Sequence, residues 1–125
     1  MFTISKTFRF EASHRLAGLP EGHKCARLHG HSYAVTVELD ADYLDPPGFV
    51  MDFAQLSPLG DYLKIAFDHQ HLNDVLTVQP TSENLARLFT EWCVGHLPLA
   101  ESVSAVTVRV SETTSSWAQY RWRRP

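Results

Sequence analysis

The sequence predicts an α+β domain in which a four-stranded antiparallel sheet is covered on one face by two helices. Two observations support it: alternating apolar segments near both ends of the chain, and apolar residues at helical spacing in the middle. The elements follow the order ββααββ. No repeat, low-complexity tract or linker divides the chain, so we expect a single domain over residues 1–125 with one core of modest size.

The first two strands carry histidines on their apolar faces. Every second residue of the segment Phe2–His14 is apolar, with one exception, and His14 is in phase with these residues. A second alternating segment runs from His29 to Leu39, and there His29 and His31 share the apolar face. Because period-2 alternation is typical of a half-buried strand, all three imidazoles are predicted to point inward.

The two helices and the last two strands follow in the second half of the chain. The first helix is predicted to begin at Ser57-Pro58, an N-cap serine before a proline, with its apolar stripe in Leu59–Phe67. The second helix is predicted over Pro80–Gly95. Alternate apolar residues mark strands at Val106–Val110 and Ala118–Trp122. The open edges of so small a sheet need covering, which favours self-association.

Composition excludes several classes of protein. The formal net charge is −3 and no basic run occurs, which argues against general binding to nucleic acid or to acidic membranes. No apolar stretch approaches the roughly 18 residues that a membrane span needs. The first residues lack the pattern of a signal peptide, and only two cysteines, Cys25 and Cys93, are present. We therefore expect a cytoplasmic protein without a disulfide framework.

Three of the seven histidines are placed to meet at one end of the predicted sheet. His29 and His31 point to the same side of one strand, and His14 ends the neighbouring strand. Three neutral imidazoles suit zinc and leave a fourth position open, although iron, cobalt and nickel accept the same ligands. Inward-facing histidines without a metal are the alternative. Cys25 is predicted either as a fourth ligand of a closed site or as a free thiolate beside an open one.

Two acidic residues are further candidates. Asp68 precedes His69, and a carboxylate beside an imidazole gives a general acid or base near neutral pH. The alternative is a histidine favoured by the dipole at the end of a helix, and His71 is a second imidazole nearby. Glu112 continues the buried face of the third strand. Either that strand has left the core there, or Glu112 accepts two-pronged hydrogen bonds from a ligand rich in N–H groups.

Six segments together connect the chain with a known family. They are Phe10-Glu-Ala-Ser-His14, His23-Lys-Cys25-Ala-Arg-Leu-His29-Gly-His31-Ser-Tyr, Gly48-Phe-Val-Met-Asp52-Phe, Asp68-His69-Gln-His-Leu-Asn73, Pro80-Thr-Ser-Glu-Asn-Leu-Ala86 and Glu112-Thr113. In their order and spacing the chain resembles the 6-pyruvoyl-tetrahydropterin synthase family from about Thr3 to Tyr120. It looks most like the short bacterial branch that forms 6-carboxy-5,6,7,8-tetrahydropterin for queuosine biosynthesis.

This resemblance implies an architecture and a metal site. It implies the tunnelling fold, or T-fold, with subunits assembled as a homotrimer or homohexamer that share their active sites. It also implies a zinc ion (Zn2+) held by His14, His29 and His31, with the substrate side chain taking the open position.

The resemblance also implies roles for the remaining candidates. Cys25 corresponds to the cysteine that moves protons at the pterin side chain. Asp68 and His69 correspond to its partners in proton transfer, contributed across a subunit interface. Glu112 corresponds to the carboxylate that anchors the pterin ring.

The implied reaction begins with 7,8-dihydroneopterin triphosphate, whose side-chain oxygen is polarised by zinc. Triphosphate and acetaldehyde are released, and 6-carboxy-5,6,7,8-tetrahydropterin is formed. One alternative is 6-pyruvoyl-tetrahydropterin synthase activity, in which triphosphate leaves and the side chain stays intact. The other is a zinc- or pterin-binding module without catalytic activity.

Overall fold

One mixed sheet of five strands and three α-helices make up the computed structural model, which describes residues 1–125. In chain order the elements are β1 (Phe2–His14), β2 (His29–Ala41), α1 (Ser57–Ala66), β3 (Gln70–His71), α2 (Leu72–Val75), α3 (Ser82–His96), β4 (Val103–Thr113) and β5 (Ser116–Arg123). Two 3-10 turns lie at Lys24–Ala26 and Phe53–Leu56. None of the helices combines the length and the apolar character that crossing a membrane requires.

The sheet differs from the predicted four-stranded antiparallel sheet by one added strand. Its spatial order is β3-β1-β2-β4-β5, and every pair is antiparallel except β1 with β3, which is parallel. The prediction of four strands and two helices was wrong on both counts, because β3 and the one-turn helix α2 were not foreseen. An element of two to four residues contains too little periodicity to be recognised, and pairing with the free edge of β1 is what orders β3.

The pairing of β1 with β2 brings the histidine-bearing ends of both strands together. The two strands stay in continuous antiparallel register from Phe2 opposite Ala41 to His14 opposite His29. On the other side of β2, Val35 lies opposite Val110 of β4. The end of β4 therefore reaches the same corner of the sheet as the histidines.

The core lies between the sheet and the helices, and it contains the apolar face that alternation predicted. Phe10 of β1 stacks on Tyr33 of β2 with ring centroids 4.8 Å apart, and Phe89 of α3 meets Phe10 edge-on at 6.2 Å. Helix α1 approaches β1 so closely that a Cβ at Gly60 would lie 2.7 Å from the ring of Phe8. Such packing fixes the strand ends that carry the candidate site.

The helix starts follow their capping residues, with one change from the expected boundaries. Ser57 is not the N-cap of α1 but its first residue, because the preceding 3-10 turn already places the chain in helical conformation. Asp52 caps that turn by accepting a hydrogen bond from the Ala54 N–H at 2.9 Å. Thr81 caps α3 through the Asn84 N–H at 3.1 Å, so α3 begins within the predicted segment.

Candidate metal centre and proton-transfer site

The three predicted histidines meet where β1 ends and β2 begins. Their ligand atoms all lie within 4.8 Å of one another, and His14 Nε2 is 2.9 Å from His29 Nε2. His14 is fully buried, whereas His29 and His31 are partly buried. The strand register explains this cluster, because His14 lies directly opposite His29 and His31 shares its face of β2.

Hydrogen bonds to backbone carbonyls fix which ring nitrogens carry protons. His14 Nδ1 lies 2.8 Å from the Pro80 carbonyl oxygen, and His29 Nδ1 lies 2.6 Å from the Arg27 carbonyl oxygen. Since a carbonyl oxygen only accepts, both Nδ1 atoms donate and both Nε2 atoms of the neutral rings present lone pairs. His31 Nε2 is buried and has no hydrogen-bond partner. Two nitrogens that present lone pairs and a third without a partner converge here, and a cation satisfies such a donor set.

The dimensions of the cluster fit a small divalent metal. Zinc–nitrogen bonds of roughly 2.0–2.1 Å in a tetrahedron place ligand nitrogens about 3.3 Å apart. The separation of 2.9 Å between His14 Nε2 and His29 Nε2 is close to that spacing. Carbonyl partners on the opposite ring nitrogens are also typical of metal-bound histidines, because they hold the ring in orientation. The residues present therefore fit a three-histidine metal site with an open position.

Glu112 lies beside this cluster. Its Oε2 is 3.4 Å from His31 Nε2, without hydrogen-bond alignment, and its Oε1 is 3.9 Å from His14 Nε2. Ser82 Oγ donates to Oε1 at 3.0 Å, and the Glu112 side chain is 26 % exposed. Burial lowers the pKa of His31 and outweighs the opposing effect of the Glu112 charge, which favours the neutral ring that binds metals.

Tyr33 contacts the cluster through its hydroxyl, which lies 3.2 Å from His14 Nδ1. Burial, with the nearby charge of Glu112, raises the pKa of Tyr33, so its hydroxyl stays protonated. Since His14 Nδ1 already donates to the Pro80 carbonyl, the tyrosine oxygen is a second acceptor for the same proton. Tyr33 and Pro80 thereby both restrain the ring of His14 through its Nδ1.

Cys25 lies in the 3-10 turn between β1 and β2, outside the group of converging nitrogens. Its backbone N–H donates to His23 Nδ1 at 3.1 Å, and its carbonyl oxygen accepts from the Leu16 N–H at 3.1 Å. The side chain is a partly buried free thiol. The thiol is not one of the converging ligand atoms, and the role of Cys25 in proton transfer stays a prediction.

Asp68 and His69 follow α1 and are held against the outer edge of β1. Asp68 Oδ1 accepts from the Glu11 N–H at 2.8 Å, and Asp68 Oδ2 lies 2.9 Å from His69 Nδ1. The His69 N–H donates to the Glu11 carbonyl oxygen at 2.6 Å. The hydrogen bond from Glu11, followed by that from His69, lowers the pKa of Asp68. Asp68 is therefore a carboxylate at neutral pH, and it orients the imidazole of its neighbour.

His69 has an unusual backbone and an exposed ring. Its φ is +58°, a left-handed conformation that non-glycine residues seldom adopt, and its side chain is 79 % exposed. No sequence pattern predicts the attachment of this segment to Glu11, because the bonded residues Glu11 and Asp68 lie more than fifty positions apart.

A cavity of about 460 Å³ connects the two groups of candidates. Residues of β1, β2 and the segment around β3 line it: Glu11, Ala12, Ser13, Gly30, His31, Ser32, His69, Gln70 and His71. The predicted metal ligand His31 and the predicted proton carrier His69 thus face one space. His71 Nδ1 lies 3.0 Å from Ser13 Oγ, a contact that sequence reasoning missed. Ser82 was interpreted only as part of a helix start, and its contact with Glu112 was also missed.

The relationship to known proteins agrees with this geometry. A family profile described as 6-pyruvoyl tetrahydropterin synthase matches residues 3–123. The chain belongs to this family.

Curated relatives and a solved structure extend the comparison within the 6-pyruvoyl tetrahydropterin synthase family. A protein of Synechocystis named 6-carboxy-5,6,7,8-tetrahydropterin synthase is 40% identical over 126 residues, covering 96% of this chain and 93% of that protein. A Bacillus subtilis protein of the same name is 32% identical and covers 96% and 85%. The structure of Caenorhabditis elegans 6-pyruvoyl tetrahydropterin synthase superposes with a TM-score of 0.79, 26% identity, and coverage of 97% and 95%. The expected T-fold is thereby confirmed, with the strand and helix numbers corrected above.

Proposed function

We propose that this protein is a zinc-dependent lyase that converts 7,8-dihydroneopterin triphosphate to 6-carboxy-5,6,7,8-tetrahydropterin, releasing acetaldehyde and triphosphate. The observation that carries the proposal is the three-histidine cluster, whose member His31 has an unpartnered Nε2 and lines a cavity together with His69. The names of the Synechocystis and Bacillus subtilis relatives favour the carboxy product. A role in queuosine biosynthesis and a cytoplasmic location belong to the same proposal.

His14, His29 and His31 would hold the zinc ion. When bound, zinc supplies Lewis-acid polarisation of a substrate oxygen, which lowers the free energy of the negative charge formed by deprotonation. The Pro80 and Arg27 carbonyls keep the rings of His14 and His29 in the orientation and tautomer that binding needs.

Cys25, Asp68 and His69 would move the protons. The Cys25 thiol exchanges a proton with the substrate side-chain carbon. His69 passes protons between the cavity and solvent, which its exposed ring allows. The Asp68 carboxylate holds His69 Nδ1 and stabilises the imidazolium when it forms.

Glu112 would bind the pterin ring through its N–H groups. Ser82 donates to one carboxylate oxygen of Glu112, and the other oxygen lies 3.4 Å from His31 Nε2. A carboxylate and a guanidine-like edge form two parallel hydrogen bonds, and this geometry orients the ring as well as binding it.

We also propose that the subunits assemble as a homotrimer or a homohexamer and share their sites. Association would cover two unpaired strand edges. One is the outer edge of β5, and the other is the outer edge of β1 before Ala12, where β3 does not pair with it. The predicted donation of Asp68 and His69 across an interface remains part of this proposal.

Product analysis by mass spectrometry tests the reaction directly. Zinc-loaded protein incubated with 7,8-dihydroneopterin triphosphate is expected to yield 6-carboxy-5,6,7,8-tetrahydropterin and acetaldehyde. A pyruvoyl product would instead support the second candidate, which the likeness to the Caenorhabditis elegans structure favours. No pterin product with zinc bound would contradict both enzymes.

The Cys25→Ala variant separates catalysis from metal binding. Because Cys25 lies outside the histidine cluster, we expect turnover to be lost while zinc content and circular dichroism stay as in the wild type. Loss of zinc and fold together would identify Cys25 as a structural ligand and favour the non-catalytic binding module.

A further inference from the structure

Two side-chain amides hold the start of the loop that carries Cys25. The Arg15 N–H donates to Asn73 Oδ1 at 2.8 Å, and Asn73 Nδ2 donates to the Arg15 carbonyl oxygen at 2.8 Å. Two residues on, the Ala17 N–H donates to Gln79 Oε1 at 3.3 Å, and Gln79 Nε2 donates to the Ala17 carbonyl oxygen at 2.7 Å. Asn73 therefore pairs with both backbone groups of Arg15, and Gln79 pairs with both backbone groups of Ala17.

This pattern reproduces the edge of a strand. A carboxamide presents one donor and one acceptor side by side, as a peptide group does. Asn73 and Gln79 thus act as a substitute neighbour for residues 15–17. Leu16, between the two paired residues, donates its N–H in the other direction to the Cys25 carbonyl oxygen at 3.1 Å. The amides fix one side of this short extended segment, and the segment in turn holds Cys25 on its other side.

The rest of the loop has few restraints of its own. Gly18 and Gly22 have positive φ angles of 79° and 81°, and most side chains between Gly18 and Lys24 are exposed. The Leu16 contact is thus one of the few backbone hydrogen bonds that tie the turn at Cys25 to the body of the protein. Losing its support would free the turn to move.

Gln79 is itself held firmly near the candidate metal centre. Its carbonyl oxygen accepts from Asn84 Nδ2 and from the Thr81 N–H, each at 2.9 Å, at the start of α3. The next residue, Pro80, supplies the carbonyl that accepts from His14 Nδ1. The same short segment therefore bears on a predicted metal ligand and on the loop of the predicted catalytic thiol.

We propose that Asn73 and Gln79 are positioning residues, which set the place of the Cys25 thiol relative to the histidine cluster by pairing with residues 15–17. The inference rests on the proposed role of Cys25 in proton transfer. Because both amides contact backbone rather than substrate, they act on the chemical step through the loop and leave substrate binding largely unchanged.

Kinetics of Asn73→Ala and Gln79→Ala test this role. Since displacement of a reacting group by about 1 Å lowers rates on the order of 100-fold, we expect kcat to fall by about 10- to 100-fold with KM and zinc content little changed. Gln79→Glu keeps the acceptor for the Ala17 N–H and loses the donor, so its kcat should be intermediate. Gln55→Ala removes an exposed glutamine from the turn before α1 and should leave kcat unchanged.

A second measurement does not depend on turnover. Trypsin cleavage of the native protein at Lys24 and Arg27 reports opening of the loop, and cleavage at Lys64 of α1 is the internal reference. Removing one two-pronged contact should accelerate cleavage in the loop by about 5- to 30-fold relative to Lys64. Alkylation of Cys25 by iodoacetamide should accelerate as well, with buried Cys93 as the unreactive standard.

The outcomes separate the inference from the proposed function. Faster loop cleavage together with reduced kcat supports it. If an alanine variant fails to fold, Asn73→Asp and Gln79→Glu are measured in its place. Unchanged cleavage in all variants overturns it. So does a rise in KM with unchanged kcat, or loss of zinc in parallel with activity, which would place the effect at His14. If the wild type forms no pterin product but the cleavage changes appear, the loop tether is correct and the assigned reaction is wrong.

Discussion

The histidine cluster and the Asp68–His69 segment face one cavity, but they are built in opposite ways. His14 is fully buried, and strand register and carbonyl hydrogen bonds determine its ring orientation. His69 is 79 % exposed, follows the end of a helix and is attached to the sheet edge through the backbone of Glu11. A cluster with ring orientations fixed by the fold suits a bound cation, whereas a ring in contact with solvent suits proton exchange. The difference in burial thus separates the two proposed roles.

The largest expected effect comes from removing a ligand of the buried cluster. His31→Ala deletes the one nitrogen of the three that is buried without a partner, so we expect loss of stoichiometric zinc. Turnover should fall on the order of 1000-fold, because the metal contributes several kcal/mol to stabilising the charge formed in the reaction. Zinc content by atomic absorption and product formation by mass spectrometry measure the two effects.

The matched control for this variant is His96→Ala. His96 lies on α3, where its ring stacks on Trp92 with centroids 4.6 Å apart. It is not one of the three histidines of the cluster. Its zinc content and turnover should equal those of the wild type. Full zinc occupancy in His31→Ala would show that the three-histidine assignment is incorrect.

Changes in the exposed segment should affect rate without affecting the metal. His69→Ala is expected to lower kcat on the order of 100-fold, the contribution of a positioned acid or base, with zinc content unchanged. Asp68→Asn should have a smaller effect in the same direction, because His69 stays in place but loses its ionised partner. Steady-state kinetics beside zinc analysis provides the check.

His71→Ala sharpens this second prediction. His71 lines the same cavity but pairs with Ser13 rather than with a carboxylate. If His69 is the proton carrier, His71→Ala should retain most of the activity of the wild type. The reverse ranking of the two variants would transfer the role to His71.

A weaker effect is expected where the cluster has two supports for one ring. Tyr33→Phe removes the hydroxyl 3.2 Å from His14 Nδ1 but leaves the Pro80 carbonyl at 2.8 Å. The dissociation constant for zinc should therefore rise by no more than about 10-fold, the lower end for such outer contacts. Competition with a chromogenic chelator measures it, and an unchanged constant would show that Pro80 alone orients the ring.

The same contrast explains what could be predicted from sequence. His14, His29 and His31 were found because strand alternation and pairing of consecutive strands are local rules, and the register then brings the rings together. The tether of Asp68 to Glu11 depends on a contact between distant parts of the chain, and no periodicity precedes it. The two-residue strand β3 was missed for the same reason, since its order comes from the edge of β1.

Side-chain amides that pair with backbone are equally invisible in the sequence. Asn73 is the last residue of a family segment and Gln79 directly precedes the predicted second helix, yet each makes two hydrogen bonds to residues more than fifty positions away. Whether an amide faces solvent or a peptide group is decided by the fold that surrounds it. Element types and buried faces therefore follow from local rules, and the contacts that position the exposed candidates do not.

The smallest predicted effect concerns stability and tests the bend at His69. A left-handed conformation costs a non-glycine residue about 1 kcal/mol relative to glycine, and both His69→Gly and His69→Ala remove the contact with Asp68. His69→Gly should therefore have the higher free energy of unfolding of the two. The difference should be somewhat below about 1 kcal/mol, because glycine also gives the unfolded chain more conformational entropy. Urea denaturation measures this difference, while both variants should be equally impaired in turnover. Equal stability would mean that the bend relaxes once the imidazole is gone, so that the pair with Asp68, rather than the backbone of Glu11, holds the segment in its conformation.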